Sequence, residues 1–133
     1  MVQARPQSTV RVGEGESLLM IQPGEIYLAS TDAGIRPVVV VSREELNRGN
    51  WIVAVLVTSS RFSLRSALPH CVPFHAGEFG LDKDCVAQAE TISYIAVVDL
   101  DLDRGALGVL EEVRMRTLIK AIGHVIASDC EPA

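Results

Sequence analysis

Apolar positions along the chain follow two periods, which divide it into a strand-rich body and one closing helix. Pro37–Val41 and Trp51–Val57 are apolar on both alternating faces, as central strands covered on each side would be. Around them, Glu25–Ala29, His70–Phe74 and Cys85–Val98 are rich in Val, Ile or aromatic residues. With Arg36–Ser42 and Trp51–Thr58 they predict five strands. Helical spacing is confined to Leu110–Ala127, where Met115, Leu118, Ile119, Ile122, Val125 and Ile126 fall on an i, i+3, i+4, i+7 pattern. Short strands followed by a helix, without regular β-α alternation, predict an α+β domain: a small twisted, barrel-like antiparallel sheet with a C-terminal amphipathic helix. Pro23-Gly24 punctuates the chain before the first strand. Residues 1–22 are therefore read as an N-terminal extension and 23–133 as the domain.

Composition narrows the function classes. A chain of 133 residues, 48% hydrophobic and 22% charged, suits one soluble core that needs neither metal nor disulfide to fold. Three cysteines, an odd number, argue against a disulfide framework and fit a reducing cytosol. The longest apolar run, Trp51–Val57, is far shorter than the ~20 residues a spanning helix requires, and the N-terminus lacks a secretory pattern. No membrane role and a cytoplasmic location are the expectations. A net charge of −5 gives no global cationic field, so an anionic ligand would need a local site. Charge is indeed segregated: Arg36, Arg43, Arg48, Arg61 and Arg65 face only Glu44 and Glu45 between Ile35 and His70, whereas Glu78–Glu112 is strongly acidic. Ten of the twelve cations are Arg, whose rigid fork matches phosphate oxygens.

Several motifs lead nowhere. Gly13-Glu14-Gly15 lacks the strand, third glycine and helix of a dinucleotide fingerprint. His70, Cys71, His75 and Cys85 match no usual zinc spacing, so neither metal nor cofactor is expected. Ser59 and Ser60 have no nucleophile-elbow context. Three places keep chemical interest: Arg36 after a glycine turn at the mouth of a buried strand, Thr58-Ser59-Ser60 where the next buried strand stops, and Gln88 with Glu90, two apart and hence on one strand face. Each also has a plain structural reading: Arg36 paired with Asp32, Thr58 as a strand former, Glu90 as an edge solubiliser.

The order of these segments resembles the MazF/PemK (Kid) toxin family. Gly24–Leu28, Gly34–Ser42 and Leu46–Arg48 resemble its opening. Val53–Ser59 is similar to its strand ending in Thr-Ser, Leu68–Val72 to its next strand, and Gly80–Val86 to its Gly-Leu-x-x-Asp-Ser-x-Val turn. Glu90-Thr91-Ile92 falls where the family has an acidic residue followed by Gln, and Arg114–Ile126 is similar to its last helix. The resemblance implies an SH3-like barrel, a homodimer, an antitoxin partner and metal-independent, sequence-selective cleavage of single-stranded RNA. By position, Arg36 and Thr58 match phosphate-contacting residues and Glu90 a catalytic carboxylate. Cleavage would then proceed by attack of the 2′-hydroxyl on phosphorus, with Glu90 as base, leaving a 2′,3′-cyclic phosphate and a 5′-hydroxyl.

The chain departs from that pattern in three respects. Ser30–Ile35 is shorter than the family loop that shapes the RNA groove, and it carries no His. The Gln and Arg after the carboxylate are Thr91 and Ser93, and the cation two residues before it is Gln88. Removing one preorganised donor typically costs on the order of 100-fold in rate. Ser59, Arg61, Arg65 and Gln88 are the remaining substrate-binding candidates, with Arg61 or Arg65 offered as compensating cations. The alternatives are a weakened member that binds RNA or a protein without cutting, and a CcdB-like gyrase-poisoning toxin. The latter is disfavoured because the chain ends Cys130-Glu131-Pro132-Ala133 rather than Trp-Gly-Ile.

Overall fold

A computed structural model of the chain describes residues 9–12 and 16–126; the Gly13–Gly15 motif and Ala127 lie outside the described residues. Thr9–Val12 (β1) and Glu16–Leu19 (β2) pair as an antiparallel hairpin. Glu25–Thr31 (β3), Gly34–Val40 (β4), Trp51–Thr58 (β5), Cys71–Phe74 (β6), Cys85–Ala96 (β7) and Gly108–Val109 (β8) form one six-stranded sheet in the order β6-β7-β5-β4-β3-β8. All neighbouring pairs are antiparallel. Glu44–Asn47 (α1) and Phe62–Arg65 (α2) are single helical turns within connections, and Glu112–Val125 (α3) closes the described chain. The five predicted strands and the predicted helix are all present, and β4 and β5 occupy interior positions as their two-sided apolarity requires.

Both sheet faces are covered. One packs Ile26, Val39, Val55, Val57, Phe74 and Ala87 against Leu118 and Ala121 of α3. The other gathers Ile21, Tyr27, Val38, Val40, Ile52 and Ile95. Full burial of each large side chain contributes roughly 1.5–3 kcal/mol. Ile21 is tied in by polar contacts as well: the buried Asn47 amide donates to the carbonyls of Ile21 at 2.8 Å and Ser42 at 2.9 Å. The helical stripe is narrower than its periodicity predicts. Met115, Leu118 and Ile122 reach the core, whereas Ile119 and Ile126 are exposed, because one helix on a curved sheet touches it along a single line.

The sheet curls into a half-barrel whose ends meet through glycine. The 3-10 turn Glu78–Gly80 that follows β6 packs against β8, and a Cβ on Gly80 would lie 1.9 Å from the Leu107 carbonyl oxygen. A Cβ on Gly108 would lie 2.1 Å from the Phe79 carbonyl oxygen. Arg114 of α3 pins the same turn, bonding Glu78 at 2.8 Å with its guanidinium over the rings of Phe74 and Phe79.

Candidate active site

Arg36 sits further inside its strand than the sequence suggests. The β3–β4 hairpin extends to the pair Thr31 and Gly34, leaving a loop of Asp32 and Ala33. Thr31 stabilises this turn by donating from Oγ1 to the Gly34 carbonyl at 2.6 Å and accepting from Ala33 N–H at 3.1 Å, and Gly34 takes a φ of +98°. Arg36 is therefore held opposite Ala29 with an exposed side chain. Its guanidinium makes one long contact, to the Ile35 carbonyl at 3.4 Å. Among the described residues it forms no ion pair, so the anticipated Asp32 partner is absent.

Arg36 and the end of β5 share a cavity of about 340 Å³, lined also by Thr58, Ser59, Ser60, Lys83 and Asp82. Thr58 Oγ1 accepts the Ser60 N–H at 3.1 Å, which fixes the turn and leaves the hydroxyl hydrogen available to a ligand. Lys83 is a cation that sequence reasoning missed. Its acidic surroundings concealed it; the one available signal was its place in the Gly80–Val86 turn.

Glu90 stands apart from this cavity. β5 and β7 pair in register from Trp51 and Ala96 to Ala54 and Ser93, and then resume at Leu56 and Gln88. The jump leaves three additional residues on β7, a special bulge larger than the usual one-residue kind. Thr91 closes it: Oγ1 accepts the Leu56 N–H at 2.8 Å and donates to the Gln88 carbonyl at 2.7 Å. Gln88 and Glu90 do share a face, as their spacing predicts, with Gln88 Nε2 donating to Glu90 Oε2 at 3.1 Å. The other carboxylate oxygen lies 3.8 Å from His70 Nε2, and Cys71 is adjacent. Strand register puts Arg36, Thr58 and Gln88 on the same face of the sheet, since Val38 pairs with Leu56 and Leu56 with Gln88.

Arg65 lies between the two groups. Its Nη1 donates to the Ser60 carbonyl, on the cavity wall, at 3.3 Å. Burial, and after it the Glu90 charge, raise the Cys71 thiol pKa, and the Arg65 charge offsets part of that rise. Arg61 precedes α2 in a left-handed conformation, φ +55°. Of the four residues considered as zinc ligands, His75 instead approaches Asp84, 3.8 Å away. Burial, chiefly, pushes the Cys85 thiol up to about 11.

Residues 22–126 match the family model described as PemK-like, MazF-like toxin of type II toxin-antitoxin system. The chain belongs to this family. Its members are known as endoribonucleases. Solved structures agree on the fold. A mycobacterial endoribonuclease in complex with its cognate antitoxin superposes with a TM-score of 0.68 at 20% identity, over 85% of this chain and 99% of that one. The Mycobacterium tuberculosis toxin MazF-mt6 gives 0.65 at 24% identity, over 76% and 94%. A MazE-MazF structure from Deinococcus radiodurans gives 0.62 at 18%, over 81% and 96%. No curated protein sequence matches the chain significantly. Among the described residues, no helix is long and apolar enough to cross a membrane.

Proposed function

We propose that this PemK/MazF-like protein cleaves single-stranded RNA sequence-selectively and without a metal, by 2′-hydroxyl attack on the neighbouring phosphorus. The observation that carries the proposal is the convergence of Arg36, Thr58, Ser59 and Lys83 on one cavity, at whose wall the Arg36 guanidinium forms no ion pair among the described residues. A guanidinium and a hydroxyl donor at such a place suit a phosphodiester, whose charge grows in the transition state. Glu90 is the base in this reading. Gln88 orients its carboxylate, and Arg65 offers a cation between base and phosphate, in the place of the missing family Arg. Attack expels the 5′-oxygen of the next nucleotide, leaving a 2′,3′-cyclic phosphate.

The two-residue β3–β4 turn leaves no long loop over this groove, so base selection falls to the Ser59–Leu68 connection and to a second protomer. We infer a homodimer and a protein antitoxin that covers the same groove, working in the cytoplasm. The solved mycobacterial endoribonuclease with its cognate antitoxin and the Deinococcus MazE-MazF structure support the antitoxin part of that inference.

Long mixed-sequence RNA incubated with the purified protein in EDTA tests the reading. Discrete cuts are expected, with Arg36→Ala slowing them on the order of 100-fold or more. Cutting that is unchanged by Arg36→Ala would refute the assignment. A specific observation favours a second reading: Glu90 lies outside the cavity, and Thr91 is committed to the bulge. RNA retained without any turnover would establish that binding-only alternative.

A further inference from the structure

We propose that His70, Cys71 and Glu90 form a binding site for a zinc ion. Nitrogen, sulfur and carboxylate oxygen donors of these three side chains all lie within 4.8 Å of one another, and His70 Nε2 is 3.8 Å from Glu90 Oε1. Tetrahedral zinc, with bonds of about 2.0–2.3 Å, places its donors roughly 3.3–3.7 Å apart. Small rotations of two partly exposed side chains close that difference.

The backbone under the site is fixed from both strands. Cys71 N–H donates to Leu68 at 3.1 Å, Ala89 N–H donates to the His70 carbonyl at 2.9 Å, and Cys71 pairs in register with Gln88. Cys71 itself is buried and cannot swing away, so it serves as the anchor, while His70 and Glu90 fold onto the ion from the solvent side. Gln88 holds the second carboxylate oxygen and turns Oε1 toward His70, the outer support that zinc ligands commonly receive. Coordination releases the thiol proton to solvent, and the fourth position is left to water. This donor set favours zinc over magnesium, which prefers oxygen ligands.

Linear spacing hides the site, because its third ligand arrives from the β7 bulge rather than from His75 or Cys85. Occupancy removes Glu90 from proton transfer, so zinc inhibits rather than assists; this consequence alone rests on the function proposed above.

The test titrates zinc chloride into EDTA-stripped, desalted full-length protein by calorimetry. One ion per chain is expected, with a Kd of about 1 μM or tighter. Cobalt should give a thiolate charge-transfer absorption that Cys71→Ser abolishes. Cys71→Ser, His70→Gln and Glu90→Gln should each weaken zinc binding by more than about 100-fold, beyond the loss of an outer-shell partner. Absence of saturable uptake, or uptake indifferent to all three substitutions in folded protein, overturns the site. Metal-free protein that cuts RNA should lose activity along the zinc-binding curve, and His70→Gln should cut yet resist zinc. Binding with undiminished cutting overturns the inhibition. Inactive metal-free protein refutes the nuclease proposal and leaves the binding result standing.

Discussion

Replacing Thr91 with Val keeps the side-chain volume and removes the hydroxyl that bridges the β7 bulge. Two hydrogen bonds disappear, one from Leu56 N–H at 2.8 Å and one to the Gln88 carbonyl at 2.7 Å. Val offers neither donor nor acceptor, so both backbone groups lose their partner inside a partly buried gap between strands. Each unsatisfied group costs about 1–3 kcal/mol, and partial access of water keeps the pair near the lower half, about 2–4 kcal/mol in total. For a chain of this length 1 kcal/mol corresponds to about 3.5 °C in Tm, so thermal unfolding should shift by about 7–14 °C. Thr91→Ser, which retains the oxygen, should recover most of that loss. Because Glu90 is the next residue, Thr91→Val should also slow cleavage at temperatures where the variant is fully folded. A shift below about 2 °C for Thr91→Val, or an equal shift for Ser and Val, would refute the bulge-bridging role.

Other perturbations probe the frame and the site. Gly108→Ala and Gly80→Ala drive a methyl group into backbone carbonyls and should each cost more than about 3 kcal/mol, seen as a collapse of the urea midpoint. Glu78 has its pKa lowered, first by its hydrogen bond to Arg114 and then by the His75 N–H. Its contribution is thus present above the ordinary carboxylate value and is lost as pH falls through the depressed one. Wild-type Tm should drop over this acid range, and Arg114→Met should flatten that part of the profile. Cys85, with its thiol at about 11, carries on the order of one thiolate in ten thousand at pH 7, so alkylation of the folded protein should be slow there and accelerate only in strong base.

What the sequence discloses follows from how far each signal reaches along the chain. Val38–Val41 and Trp51–Val57 declare buried strands because burial on both faces leaves no polar position in either. Arg36, Thr58 and Ser59 are legible as a group because each stands at or near the end of such a run, where a polar head can leave the core. The separation of Glu90 from them is not legible, since Ala89–Ser93 reads as uninterrupted strand and the bulge exists only relative to β5. α1 and α2, at four residues each, are too short for helical periodicity to register. Asn47 resembles a loop residue until its amide is seen bonding Ile21, which is 26 positions away. The contact of His70 with Glu90 depends on the same long-range pairing and carries no local mark.

In the proposed reaction the sheet face bearing Arg36, Thr58 and Glu90 cuts RNA through the substrate's own 2′-hydroxyl. End-group analysis of the fragments tests it most directly, on a substrate cut in EDTA and on the same substrate with a single 2′-deoxynucleotide at the mapped site. Attack by the 2′-hydroxyl requires a 2′,3′-cyclic phosphate on one fragment, a 5′-hydroxyl on the other, and no cut at the deoxy position. Fragments ending in a 5′-phosphate, or undiminished cutting at the deoxynucleotide, would contradict it.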